Sequence, residues 1–298
     1  MAAMEETRGD KIANCINYIL LSLILIVTFY PLYFVVIASI SDPNLINSGK
    51  VILLPKGISF AGYHHIFEDP RIATGYFNTI FYTVFGTLIN LVVTIPAAYA
   101  LSRKDLVGRS AITIVFIITM FFSGGLIPTF LLMKGLHLLD TRWAILLLGA
   151  TNMTNIVIAR TFFQSTIPWE LQEAAKIDGC SDFRLFFTIV LPLSSAIVAV
   201  LALFFAVAHW NNYFKALVYL RSGKLFPLQL ILREMLIKSE FDAQMILTGD
   251  TATMNDQLKI AEQIKYGLII VSTLPIMMVY PFVQKFFVKG VMIGALKG

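Results

Sequence analysis

Charge is scarce in this chain. Asp, Glu, Lys and Arg make up 14% of its 298 residues, against about a quarter in average soluble chains. With 57% hydrophobic residues and a mean hydropathy of +0.77, that scarcity excludes a soluble domain. Cysteine is scarcer still. Cys15 and Cys180 are too few for a disulfide framework, and Cys15 precedes its apolar run instead of following it, unlike a lipid-modified cysteine. No G-x4-G-K-[ST] pattern occurs. Ser222-Gly-Lys224 lacks the upstream glycine, so the chain does not bind ATP by the P-loop route. The net charge of +5 comes from scattered basic residues, which argues against nucleic acid. His64 and His65 are adjacent and share no helix face, with no Cys or third His near them, so they read as a loop pair without a metal. His137 and His209 are single histidines and read as structural. No convergent set of nucleophile, acid or metal ligands is visible, which argues against an enzyme.

What the chain does have is long apolar runs. A helix needs about 20 apolar residues to cross a bilayer core of roughly 30 Å. Six runs qualify, at about 14–40, 76–101, 111–133, 143–163, 193–220 and 266–287. They are too continuous for barrel strands, so the expected class is an all-α, polytopic membrane protein. The first run is too long for a signal h-region and lacks a small-residue cleavage site. It reads as a retained span. The basic-residue count does not decide the orientation. With both termini inside, the raw tally slightly favours the wrong side, although the densest cluster, Arg103, Lys104 and Arg109, falls inside. Pro31, Pro96, Pro128, Pro275 and Pro281 lie in or beside the spans, and Gly124-Gly125 lies in the third. They favour a bundle with moving parts, although ordinary helix packing also uses such residues. On the proposed outer side, residues 41–75 carry turn formers. Residues 221–265 carry an amphipathic stretch, Asn255 to Lys265. Both serve equally as plain loops or as surfaces for an external partner.

The polar island at about 164–192 has its own local logic. Pro168 suits the first helical position, Glu170 and Glu173 complement the helix dipole, and Gly179 can end the helix with positive φ. Ser181 or Asp182 can cap a second helix, expected to run through Pro192 into the fifth span. The first helix lies along the membrane surface. Ala174 and Ala175 offer a small face, Glu173 an acceptor at its edge, and Asp178 a brace for the corner.

Glu173-Ala-Ala-Lys-Ile-Asp-Gly179 and Ile189-Val-Leu-Pro192 together read E-A-A-x2-D-G-x9-I-x-L-P. That pattern resembles the cytoplasmic loop of binding-protein-dependent ABC importer permeases. Within them, the chain is similar to the carbohydrate branch typified by the smaller permease of maltose-type systems. It looks closest to the permeases grouped with lipoprotein-associated oligosaccharide systems of Gram-positive bacteria. Ala97 to Arg103, Gly124 to Pro128, Trp210 to Phe214 and Lys289 to Gly298 agree in order and spacing.

The resemblance implies a six-helix permease fold. Residues 1–13 and 288–298 would be cytoplasmic ends, and 14–287 the transmembrane domain of a multi-pass protein of the cytoplasmic membrane. A second homologous permease, two ATPase subunits and an extracellular solute-binding protein would be its partners, with membrane lipids around it. The chain would be non-catalytic and without a cofactor of its own. ATP and Mg would be bound by the ATPase subunits. Glu173, Ala174, Ala175, Asp178 and Gly179 would form the coupling helix and its corner.

The residues agree on the energy source. The spans are nearly free of acids, whereas ion-driven carriers place ionisable or unwound coordinating groups at mid-membrane. Energy must enter from outside the chain. Sugars are met by aromatic faces and by amides and hydroxyls. Trp210, Asn211, Asn212, Tyr213, Asn152 and Asn155 supply that chemistry, and Tyr30 and Tyr33 add to it. Interhelical hydrogen bonding is an equally open use of each Asn. The expected function is a sugar importer permease, most simply for oligosaccharides, working by alternating access. The competing readings are a permease for an amino acid, phosphate or metal ion, and an intramembrane enzyme.

Overall fold

The computed structural model describes residues 8–246, 262–279 and 281. Every element among them is helical. In chain order they are α1 (Arg8–Ser39), α2 (Pro43–Asn47), α3 (Ala61–Glu68), α4 (Arg71–Ser102), α5 (Arg109–Phe121), α6 (Leu126–Gly135), α7 (Arg142–Leu147), α8 (Met153–Thr166) and α9 (Trp169–Ile177). Next come α10 (Asp182–Leu185), a π turn (Phe186–Val190), α11 (Leu191–Leu193), α12 (Ser195–Trp210), α13 (Phe214–Tyr219) and α14 (Leu228–Ile246). The last is α15 (Glu262–Val279). The chain forms two compact units. One comprises residues 1–69 and 234–273, the other 70–233 and 274–298.

Among the described residues, three helices are long and apolar enough to cross a membrane: Gly9–Ser39, Arg71–Ser102 and Glu262–Val279. Two bent pairs, α5 with α6 and Asp182–Leu193 with α12, raise this to up to five. The helical, membrane-spanning class is as expected, but three expected spans are broken. The third turns by 111° between Phe121 and Leu126, where Gly125 adopts φ +82°, a conformation cheap only for glycine. The fourth is divided between α7 and α8 by Gly149 at φ +87° and by Asn152, which caps α8. The helix expected to run through Pro192 into the fifth span instead bends by 79° at Ser194. Pro192 has no N–H to give, and its ring crowds the carbonyl four residues back. The turn before it widens, with Leu191 N–H donating to Phe186 O. The sixth span is described only as far as Val279 and at Pro281. The tail from 288 and most of the Asn255 to Lys265 stretch lie outside the described residues.

In the first unit, α1 is exposed from Gly9 to Leu32. An apolar cylinder in water is untenable, but it suits lipid or a neighbouring helix. Its C-terminal end packs Ile37 and Ala38 against Ile46, Val51 and Tyr266. Tyr30 and Tyr33, expected to add to a sugar path, donate to the carbonyls of Ile52 (3.1 Å) and Leu53. Gln263 ties this unit together. It donates to Ser41 O at 3.1 Å and accepts from Gly62 N–H at 3.2 Å.

In the second unit, α4 is the axis, packed by α8 and α12. Its buried positions Ile72, Gly75, Asn78, Thr79, Tyr82, Gly86, Asn90, Thr94, Ile95 and Ala98 recur at helical spacing. Asn78 donates to the carbonyls of Lys224 (2.8 Å) and Phe226 (3.1 Å), and Tyr82 to that of Leu225 (2.9 Å). Asp140 accepts from the N–H groups of Ser222 (2.8 Å) and Arg221 (2.9 Å). Those two bonds, Ser222 first, hold its carboxyl below the usual range.

Candidate functional site

The island folds as a surface helix with a closed corner. Pro168 stands one position earlier than expected, capping α9 from outside, with Trp169 as the first helical residue. Trp169 Nε1 donates to Glu173 Oε1 at 2.7 Å, one turn on. Gly179 adopts φ +71°. Its N–H reaches Lys176 O at 3.0 Å, and that of Cys180 reaches Ala175 O at 2.9 Å. These backbone bonds satisfy the last carbonyls of α9. They close the corner, which corrects the expectation that the Asp178 side chain braces it; Asp178 is exposed. Ser181 caps the following turn, accepting from Arg184 N–H.

Glu173, Ala174, Asp178 and Gly179 are all exposed. Ala175 is 7% exposed and packs in the core with Leu185 and Phe186. The expected two-alanine face is therefore a one-alanine face. Ala174 points outward, while Ala175 lets α9 lie close on its own bundle. Ile177 and Phe183 stand 86% and 80% exposed on either side of the corner, more than a stable aqueous surface warrants at two adjacent sites.

Sequence reasoning missed what holds this corner. Arg103, the residue that ends α4, grips both oxygens of Asp105 and reaches Asp182 with Nη1 at 2.8 Å and Tyr99 OH at 3.3 Å. Lys176 Nζ, on α9, bonds Asp105 Oδ2 at 2.8 Å. One buried guanidinium thus joins the end of α4 to α9 and α10. The Arg103 bond, and after it the Lys176 bond, hold the Asp105 carboxyl far below the usual range, and Asp105 in turn raises Arg103. Arg103 had shown itself in the sequence only as a charge near a span end and as the last residue of the Ala97 to Arg103 run. Its partner Asp182 is 79 residues away, a separation that no local pattern reveals.

The six residues expected along a sugar path divide by task. Asn152 caps α8, accepting from Asn155 N–H at 3.2 Å. Asn211 donates to Val207 O at 3.0 Å, in its own helix. Asn212 accepts from Lys215 N–H at 3.2 Å, shaping the start of α13. Tyr213 is exposed on one side, with the Arg233 guanidinium 5.5 Å from its ring centre. Trp210 is buried and lines a cavity of about 400 Å3 with Tyr76, Thr83, Leu203 and Pro275. Among the described residues, the buried hydroxyl of Thr83 has no hydrogen-bond partner. Next to these, a tie absent from the sequence reading joins three elements. Asn90 donates to Gly149 O at 2.7 Å and faces His209 Nε2 at 2.7 Å. Lys215 Nζ donates to Leu148 O at 2.5 Å. Among the described residues, no three His, Cys, Asp or Glu side chains group as metal ligands.

Comparison with known proteins gives a consistent result. The model of the family described as binding-protein-dependent transport system inner membrane component matches residues 72–293. The polygalacturonan/rhamnogalacturonan transport system permease protein YtcP of Bacillus subtilis (strain 168) is 40% identical, over 97% of this chain and 99% of that one. Protein LplC of the same organism is 38% identical, over 99% and 98%. A chain in the crystal structure of a bacterial ABC transporter involved in the import of the acidic polysaccharide alginate superposes with a TM-score of 0.81. It is 35% identical and covers 96% of this chain and 100% of that chain.

Proposed function

The chain belongs to the family of binding-protein-dependent transport system inner membrane components, and on that premise we propose that it carries oligosaccharides, uronate-bearing ones first among them, through the membrane by alternating access. It is a multi-pass permease subunit and not an enzyme, and its family works with an ATPase and a solute-binding protein. The finer assembly is one chain of this kind, one homologous permease, two ATPase subunits that hold ATP and Mg, and a binding protein outside. Both termini, residues 1–13 and the tail from 288, are then cytoplasmic.

The observation that carries the mechanism is the Arg103 junction. Glu173, Ala174, Asp178 and Gly179 face outward on α9 and its corner, where an ATPase cleft can seat them. A push on α9 reaches α4 through Lys176, Asp105 and Arg103, and reaches α12 through the bend at Ser194. Because α4 carries α8 and α12, movement of the corner becomes movement of the bundle around Trp210. A pre-broken helix needs no new strain to change its angle, since the hydrogen bonds at the break are already redirected.

The substrate reading rests on relatives and on chemistry. YtcP is a polygalacturonan/rhamnogalacturonan permease, and the similar crystal structure is of a transporter that imports the acidic polysaccharide alginate. Trp210 and Tyr213 offer faces to sugar rings, and Arg233 beside Tyr213 offers a partner for a carboxylate. The test is ATPase stimulation of the reconstituted complex by binding proteins loaded with oligogalacturonate, a neutral oligosaccharide or an amino acid. Several-fold stimulation by oligogalacturonate is expected. Stimulation by the amino acid pair alone overturns the sugar reading.

A further inference from the structure

The α4–α5 link and α9 enclose a second cavity, of about 370 Å3, lined by Ser102, Lys104, Arg109, Phe163, Trp169 and Gln172. That volume lies within the range of small-ligand sites, about 300–1,000 Å3. Gln172 is only 5% exposed, and its buried Oε1 has no hydrogen-bond partner among the described residues. Folded proteins rarely leave a buried acceptor unmet, so an occupant should bring a donor. Two cations share the wall. Lys104 Nζ lies 5.9 Å from the centre of the Trp169 ring, and Arg109 Nη1 donates to Arg103 O at 3.3 Å. Neither forms an ion pair among the described residues, and two of the nearby acids are engaged elsewhere. Asp105 is held by Arg103 and Lys176, and Glu173 by Trp169.

We propose that this cavity binds a phosphate ester that also carries hydroxyl groups. The phosphate oxygens would meet Lys104 and Arg109, cations suited to a point contact and a fork respectively. A hydroxyl would donate to Gln172 Oε1, while Phe163 and the Trp169 ring cover the carbon skeleton. Two sources present that chemistry: the headgroup of phosphatidylglycerol and a free glycerol phosphate. The site lies where the apolar helix α4 ends, and basic pockets between helices at a membrane boundary suit anionic lipid. Gln172 is on α9 itself, so an occupant would link the coupling helix to the α4–α5 corner. The proposal needs only the membrane setting, not a particular sugar or direction of transport.

The test uses the full complex in lipid nanodiscs, read by native mass spectrometry for retained lipid and by thermal midpoint. With phosphatidylglycerol present, wild type should retain it. A Lys104→Ala/Arg109→Ala variant should retain at least tenfold less, and Gln172→Leu several-fold less. In discs of phosphatidylcholine alone, a midpoint rise on adding glycerol phosphate to wild type, lost in the double variant, identifies the soluble source and supports the site equally. Should the double variant not assemble, Lys104→Ala alone carries the comparison. Equal retention by wild type and all variants, with no shift on glycerol phosphate, overturns the proposal whatever the complex transports.

Discussion

Arg103 holds Asp105 with two parallel bonds, Nε to Oδ1 at 2.8 Å and Nη2 to Oδ2 at 2.6 Å, while Nη1 remains free to hold Asp182 at 2.8 Å. The planar guanidinium fork grips one carboxylate with two bonds and still presents a donor to the second acid. Arg103→Ala removes the cation that the two acids share. Because Asp182 is mostly exposed and Asp105 is a third exposed and still held by Lys176, no buried charge is orphaned, and the expected loss lies between a surface pair and a broken buried one, about 1–2 kcal/mol. Arg103→Lys keeps the charge but not the fork, and should recover less than half of that. Denaturant midpoints of the purified complex check both. A wild-type midpoint in Arg103→Ala would mean that the junction is not structural.

The same pair gives a pH dependence with a definite sign. The folded Asp105 carboxyl is held below its unfolded value, mainly by Arg103 and then by Lys176. A depressed carboxylate contributes its stability in full above the unfolded pKa of about 3.9 and loses it as pH falls toward the folded value. Wild type should therefore exceed Asp105→Asn in thermal midpoint by an unchanging margin from pH 8 to 5. The margin should narrow only below about pH 4. A margin that grows on acidification would contradict the pairing.

Glu173 is exposed and, among the described residues, its side chain bonds only Trp169 of its own helix, so its carboxylate can still meet another chain. Glu173→Lys should leave the bundle folded, with a midpoint within about 0.5 kcal/mol of wild type, as for a surface change. Co-purification of the ATPase should fall at least tenfold, and uptake should cease. Uptake at the wild-type rate would remove α9 from the coupling role.

Local chemistry was legible in the sequence. The helix expected at about 168–178 and found at Trp169–Ile177, its glycine corner, and the cap, expected at Ser181 or Asp182 and found at Ser181, follow from nearest-neighbour rules. So do α1 and α4, whose long apolar runs admit one reading. The misses are of another kind. The breaks at Gly125, Gly149 and Ser194 interrupt runs that hydropathy alone reads as continuous, because apolar content does not report backbone angle. Ala175 was assigned outward although the buried positions of α9, Gln172 and Ala175, are three apart and share a face. The Arg103–Asp182 and Asn90 contacts join residues 59 to 119 positions apart, and only the fold brings them together.

Gly179 adopts φ +71°, and a Cβ there would meet no atom within 4 Å. Any penalty on substitution is therefore backbone strain alone. Gly179→Ala should cost about 1–2 kcal/mol, and Gly179→Asn less, since asparagine tolerates the left-handed region. The order glycine, asparagine, alanine should hold both for midpoint and for ATPase co-purification. If alanine matched glycine in both, the corner would not need its left-handed turn.

Gly86 tests the opposite case, in which space and not φ is limiting. A Cβ there would fall 2.4 Å from His209 Cε1 and 2.5 Å from its Nε2, so α12 can lie on α4 only because residue 86 has no side chain. Gly86→Ala must push the imidazole away, and with it the 2.7 Å contact to Asn90, which also holds the Gly149 carbonyl. Overpacking of this kind costs about 1–3 kcal/mol, and the buried Asn90 oxygen then lacks its donor. The double variant Gly86→Ala/His209→Ala relieves the clash. It should lie closer to His209→Ala than the sum of the two single losses predicts. Denaturant midpoints of the four proteins decide it: strict additivity would mean that the ring does not rest on Gly86.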